Sequence, residues 1–131
     1  MQFTLEARSG VNLIRAYSAR ELIVGARTLT GSCIVTADTL ISNWRPASAA
    51  AVMAADLGPL LALEPEIVLI GAAGERALSG EVRAAFGARH IAVEVMELGA
   101  ACRTFNILVQ EERRVAAAFL LKGESPAEKA T

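Results

Sequence analysis

Across residues 96–121 the apolar positions change their period once, and that change predicts the closing order of elements. Leu98, Ala101, Cys102, Phe105, Leu108 and Val109 recur at helical spacing, which gives a helix one apolar face. Arg103, Asn106 and Gln110 fall three or four apart on a flanking polar stripe. After Arg113 and Arg114, residues 115–121 form a continuous apolar run that suits a strand buried on both faces. A helix that feeds a buried strand within a few residues predicts a layered α/β fold.

Upstream, residues 67–70 and 91–95 read as two further buried strands. Between them Ser79 can cap a helix that runs to Phe86 and stops at Gly87. The span fits the roughly 30 residues of a βαβ unit, so the two strands should be parallel with a right-handed crossover. The first third reads as strands: Phe3 and Leu5 alternate with polar neighbours, then residues 13–17, 21–24, 28–36 and 39–43 follow. Gly31, inside the 28–36 run, suggests a bulge or a close backbone approach. Residues 46–55 are alanine-rich but lack a polar face, and Pro46 restricts their start, so irregular structure packed on an apolar surface is expected. Asp56 is placed to cap a short helix through Leu63, with Pro59 in its first turn and Pro65 ending it. The expected core includes Val68, Ile70, Val93, Phe105, Leu108, Ala117 and Phe119. Residues 1–121 are expected to form one domain, and residues 122–131 a frayed polar tail.

Composition narrows the function classes. Of 131 residues 53% are hydrophobic but only 5% aromatic, so the core must be built from small and branched aliphatic side chains. A formal charge of −1 offers no concentrated basic face for nucleic acid. Residues 46–55 and 115–121, the best uncharged runs, fall well short of the ~20 residues a helix needs to cross a membrane. The opening residues hold Glu6 and no basic segment feeding an apolar one, so no signal peptide is expected. The expectation is a cytoplasmic protein, neither inserted in a membrane nor bound to nucleic acid, with Cys33 and Cys102 as free thiols.

Four groups of residues carry candidate chemistry. Gly71 and Gly74 sit where a phosphate loop would, and Glu94 follows about 20 positions later, as a ribose-binding acid would. The full glycine spacing is absent, however, Glu94 falls inside its strand, and no Lys-Ser or Lys-Thr pair follows. A tight strand-to-helix turn explains the two glycines more simply. Cys102 belongs to the first turns of the last helix, where the dipole favours thiolate, but it also belongs to that helix's apolar stripe, which suits a core thiol. His90, the only histidine, lies at the far end of a strand from Cys102, and one His with two scattered Cys make a poor metal set. No catalytic residue, metal or cofactor is therefore expected. Arg103, Thr104 and Asn106 remain. A helix that starts beyond a parallel strand's carboxyl end lies where open α/β sheets bind ligands, and its first N–H groups could face an anion or carbonyl. Together with Gly71 and Gly74 these three residues form the candidate ligand or partner site. The competing reading pairs Arg103 with Glu97 or Glu111 and lets Asn106 fasten a neighbouring loop.

The run AACRTFNILVQEERRVAAA, residues 100–118, resembles a small family of unknown function that includes a mitochondrial assembly factor for respiratory complex I and the adipogenesis-associated domain protein. The shared pattern is an Arg-Thr-aromatic-Asn helix, here Arg103 to Asn106, followed by a Gly-Arg-x-Val-Ala-Ala strand entry, matched here by Arg114 to Ala117. Residues 65–74, and residues 41–44 followed by Pro46, are similar as well. The chain departs from the pattern twice: Phe105 stands where Tyr is common, and Glu112 replaces the usual Gly before Arg113. The second departure leaves a turn to a residue less tolerant of positive φ. The resemblance implies a three-layer α/β domain with a mixed central sheet and an additional β layer from the N-terminal strands. It also implies a non-enzymatic binding or assembly module with a protein partner, serving respiratory-complex or membrane-protein biogenesis. The alternative is a small-molecule-binding or enzymatic domain, with a cleft between the turn at residues 71–74 and the final helix.

Overall fold

Alternation along one central strand organises the molecule. In the computed structural model, which describes residues 10–122, strand β6 (Ile67–Ala72) points Val68 and Ile70 to one side and Leu69 to the other. Each side meets its own core cluster. Five strands form this mixed sheet: β4 (Cys33–Val35), β5 (Leu40–Ile41), β6, β7 (Ala92–Glu97) and β8 (Val115–Leu120), in the order β5-β4-β8-β6-β7. β6 runs parallel to β7 and β8, whereas β4 is antiparallel to β5 and β8. Every residue of β8 is buried, as a strand covered on both faces requires. The parallel pairing expected for the strands on either side of the first long helix is present.

Helix α2 (Gly80–Gly87) covers one face, where Val82 and Phe86 join Val68, Ile70, Ala116 and Ala118. Ser79 caps it, its hydroxyl accepting from the Val82 N–H at 3.2 Å. Helix α3 (Leu98–Gln110) covers the other, placing Ala101, Cys102, Phe105 and Val109 against Leu69, Ala117 and Phe119. Over α3 lies a separate antiparallel sheet of β1 (Ile14–Tyr17), β2 (Leu22–Val24) and β3 (Arg27–Leu29). Its Ile14, Leu22, Val24 and Leu29 share the α3-side core. The mixed central sheet and the additional N-terminal β layer are thus both present.

Several local expectations change. The run at residues 28–36 is two strands in different sheets, interrupted around Gly31, because Ser32 leaves the small sheet to bond residue 121. Its hydroxyl accepts from the Leu121 N–H at 3.0 Å. Residues 46–55 are irregular, as expected, with short 3-10 turns at Ala49–Ala51 and Ala54–Asp56. Asp56 does not cap the following helix. Its carboxylate accepts from Arg45 Nε at 2.7 Å and Nη2 at 2.5 Å, and from the Met53 N–H at 2.8 Å. Engaged backwards by a forked guanidinium, it leaves Leu57 as the N-cap of a helix, α1 (Gly58–Leu61), shorter than expected. Gly87 is the last residue of α2 rather than its stop, and the left-handed residue is His90, at φ 57. Val93 and Leu108 pack against the core only partly buried, while Phe105, Ala117 and Phe119 are fully enclosed. The strand expected around Phe3 and the tail beyond Lys122 lie outside the described residues. Among the described residues no helix is long and apolar enough to cross a membrane.

Candidate functional site

Gly71 does not turn the chain. β6 continues through it and Ala72, and Gly71 pairs in register with Met96 on one side and Phe119 on the other. Its missing side chain is what lets α3 approach: a Cβ there would lie 2.8 Å from the Ala101 Cβ and 3.3 Å from Phe119 Cδ1. Gly74 is exposed, with open space around it. The two glycines therefore make neither a cradle nor a shared tight turn. Gly71→Ala should cost about 1–3 kcal/mol, the usual penalty for overpacking a filled core, and a denaturant titration beside the parent protein measures it. No loss would mean that α3 can shift off the sheet freely.

The other three candidates fan out around α3. Arg103 is exposed, Thr104 half-buried and Asn106 buried at 5% exposure. Asn106 is aimed at β1: its Oδ1 accepts from the Ile14 N–H at 2.8 Å and its Nδ2 donates to the Ile14 carbonyl at 2.9 Å. One amide thus acts as a ladder partner for an edge strand 92 residues earlier in the chain. This is the fastening role among the two readings of that residue. The first N–H groups of α3 are also engaged. Glu97 is the N-cap and its carboxylate accepts from the Ala100 N–H at 3.2 Å. The Gly99 and Ala100 N–H groups, with Arg103 and Arg76 nearby, hold its pKa below the usual carboxylate value despite some desolvation. An anion at this helix end would have to displace the chain's own carboxylate. Gly99 permits a further close approach, since a Cβ there would stand 2.7 Å from Tyr17 Cζ.

Neither thiol is poised for chemistry. Cys33 and Cys102 are both buried, and burial pushes each pKa up to about 12, so thiolate is scarce at neutral pH. Among the described residues no cluster of His, Cys, Asp or Glu could hold a metal.

Concavity appears at the opposite end of the sheet, where β6 and β8 begin. A hollow of about 290 Å³ is lined by Asp38, Leu63, Pro65, Arg113, Arg114 and Val115. A second, of about 570 Å³, adjoins it through Pro65 and Arg114 and reaches Leu61, Arg89 and Ile91. Together they make a groove of mixed lining, the smaller hollow mainly apolar and the larger more polar, with Arg89, Arg113 and Arg114 among the residues around it. Neither hollow is lined by any of the five residues selected from sequence. Glu66 organises the rim: Oε1 accepts from Arg113 Nε and from the Arg114 N–H, both at 3.0 Å. The Arg113 side chain and the Arg114 N–H hold the Glu66 carboxyl below its ordinary pKa. The Arg114 side chain is exposed; its Nε makes a long contact to the Glu64 carbonyl at 3.5 Å, and its charge also favours the Glu66 carboxylate. Three residues that lead into the parallel strands, Glu64, His90 and Glu112, hold left-handed backbones at φ 49, 57 and 61. Glu112 is the residue for which the sequence pattern anticipated a glycine-like turn. The arginine pair was visible in the sequence, but its cavity was not, because the lining comes from four separate connections.

Residues 14–120 match the model of a family described as a protein of unknown function (DUF498/DUF598). Among curated proteins, the chain is 36% identical over 119 residues to the NADH dehydrogenase [ubiquinone] 1 alpha subcomplex assembly factor 3 of Danio rerio, a match covering 88% of this chain and 67% of that protein. The human protein of the same name is 32% identical over 111 residues, covering 82% of this chain. The chain spans 59% of the human relative's length. Among solved structures, an NMR structure of a Xanthomonas campestris protein superposes with a TM-score of 0.79 at 32% identity, covering 94% of this chain and 96% of that one. The match extends from the first strand of the small sheet to the last residue of β8, so the chain belongs to the DUF498/DUF598 family.

Proposed function

We propose that the chain is a non-catalytic protein-binding module of the cytoplasm, acting in the assembly of a respiratory or other membrane-associated complex through the groove where β6 and β8 begin. The observation that carries this reading is the similarity, over most of the chain, to proteins named as complex I assembly factors. Geometry supports it in two ways. The groove sets the apolar side chains of Leu61, Leu63, Pro65 and Ile91 beside exposed arginines, a mixture that protein interfaces favour. The buried thiols, at pKa values near 12, offer no nucleophile beside it. A small-molecule cleft at residues 71–74 has less support, because Ala101 fills the space beside Gly71.

Cross-linking capture of the tagged chain from its own cells tests the proposal. The parent protein should recover a reproducible set of proteins, and Arg114→Glu should recover them about tenfold less, as reversal of a central interface charge implies. The variant's melting curve, run alongside, separates lost binding from the modest loss of stability expected of a carboxylate placed beside Glu66. Recovery of nothing above background by the parent chain overturns the reading. Equal recovery by both proteins removes the groove from it.

A further inference from the structure

β7 ends the five-stranded sheet, with β6 on one side and, among the described residues, no strand on the other. Its backbone parity can be assigned. The Ala92 N–H donates to the Glu66 carbonyl at 3.2 Å, toward β6. Main-chain groups alternate sides along a strand, so Glu94 and Met96 also turn theirs to β6, and Val93 and Val95 turn theirs outward. The register with β6 is unbroken from Ala92 to Glu97. This edge therefore lacks the bulge, the proline and the lysine with which natural sheets commonly protect a long exposed strand.

The side chains specify what would fit. Val93 and Val95 pack on the α2-side core but remain half-exposed, at the rim of a cluster that stops with β7. Glu94 projects to the other face, exposed, with no hydrogen bond or ion pair among the described residues. An added strand would cover Val93 and Val95 with its apolar positions and meet Glu94 with the residue between them. A second copy of this chain fits poorly. In a symmetric antiparallel pairing centred on β7, Glu94 falls opposite or diagonal to its own symmetry mate, and like charges there are destabilising.

We propose that the β7 edge accepts an extended segment of another polypeptide by strand addition, a segment that alternates apolar and basic residues and sets a lysine or arginine against Glu94. This surface begins beside Ile91, which lines the arginine-rimmed groove, but β7 itself contributes no residue to the groove's lining.

The test uses the full chain, uniformly labelled with nitrogen-15, and two capped synthetic heptapeptides, Thr-Val-Lys-Val-Lys-Val-Thr and the same sequence with Glu for Lys. Millimolar lysine peptide should slow hydrogen exchange at the Val93 and Val95 amides by roughly tenfold, while the Ala92, Glu94 and Met96 amides are slow throughout. The glutamate peptide should leave all of them unchanged. Glu94→Lys should reverse the preference. Val95→Pro, which removes an outward N–H and leaves the bonds to β6 in place, should abolish the effect. Equal slowing by both peptides, or none by either, overturns the proposal. So does concentration-dependent protection of Val93 and Val95 without peptide, which would assign the edge to a second copy.

Discussion

Phe105→Ala lowers the unfolding free energy by about 3–5 kcal/mol, with a fall in melting temperature of roughly 10–20 °C for a chain of this size. Phe105 has no exposed surface, and its ring meets Phe119 edge-on, with centroids 6.2 Å apart and planes at 81°. Such aromatic pairs contribute about 0.5–1.5 kcal/mol beyond the apolar area they bury. Removing the ring opens a cavity between α3 and β8, and the surroundings cannot collapse into it. On the sheet side Gly71 already lets Ala101 sit against β6, so the helix has little further to travel. Phe119, the aromatic neighbour, is itself fully enclosed in β8 and cannot leave its own place to fill the hole. Paired urea titrations of parent and variant measure the loss, and a value below about 1 kcal/mol would show that α3 repacks around the hole.

Asn106→Ala follows in size. It strands two buried backbone groups at once, the Ile14 N–H and carbonyl, each costing about 1–3 kcal/mol when unpaired. The expected total is about 2–4 kcal/mol, with the damage concentrated in the small sheet. Asn106→Asp separates this fastening role from simple volume. The carboxylate still accepts from the Ile14 N–H, but its second oxygen faces the Ile14 carbonyl, acceptor against acceptor. Both variants should lose exchange protection across β1 and β2 before α2 or β6 is affected. Uniform loss throughout the molecule would show that the small sheet and α3 open only together with the rest. Binding defects in these variants would be secondary to that loosening, whereas Arg103, exposed on the same helix, should be replaceable by Gln within about half a kcal/mol.

What the sequence made legible was whatever repeats locally. The helical period of α3, the Ser79 cap and the buried run of β8 depend on residues within a turn or two of one another, and each is present as expected. The βαβ unit followed from strand spacing. Illegible features depended on partners far along the chain. Gly71 looked like a turn because glycine is poor in strands, but it is small on account of Ala101, thirty positions later. Asp56 looked like a cap until Arg45 claimed it. The division of residues 28–36 between two sheets turned on a contact from Ser32 to Leu121. Asn106 was readable as either a site residue or a fastener, and only the position of Ile14 chose between them. For the candidate site the arginine pair could be seen, but not the groove, whose walls are assembled from the connections before β6, β7 and β8 and from the loop after β4.

The place of β8 in the sheet has a consequence for synthesis on the ribosome. It is the last of the described strands, yet it lies at the centre, between β4 and β6. Until it emerges, β4 and β6 each lack a neighbour, and two apolar strand edges stand open at the same time. The first hundred residues can therefore form hairpins and the βαβ unit, but they cannot close a core. A nascent or truncated chain that ends before Val115 presents adhesive edges instead of a stable intermediate. Completion of this sheet waits for β8, so the interval between translation of β6 and emergence of β8 is the period in which this protein most needs protection from aggregation.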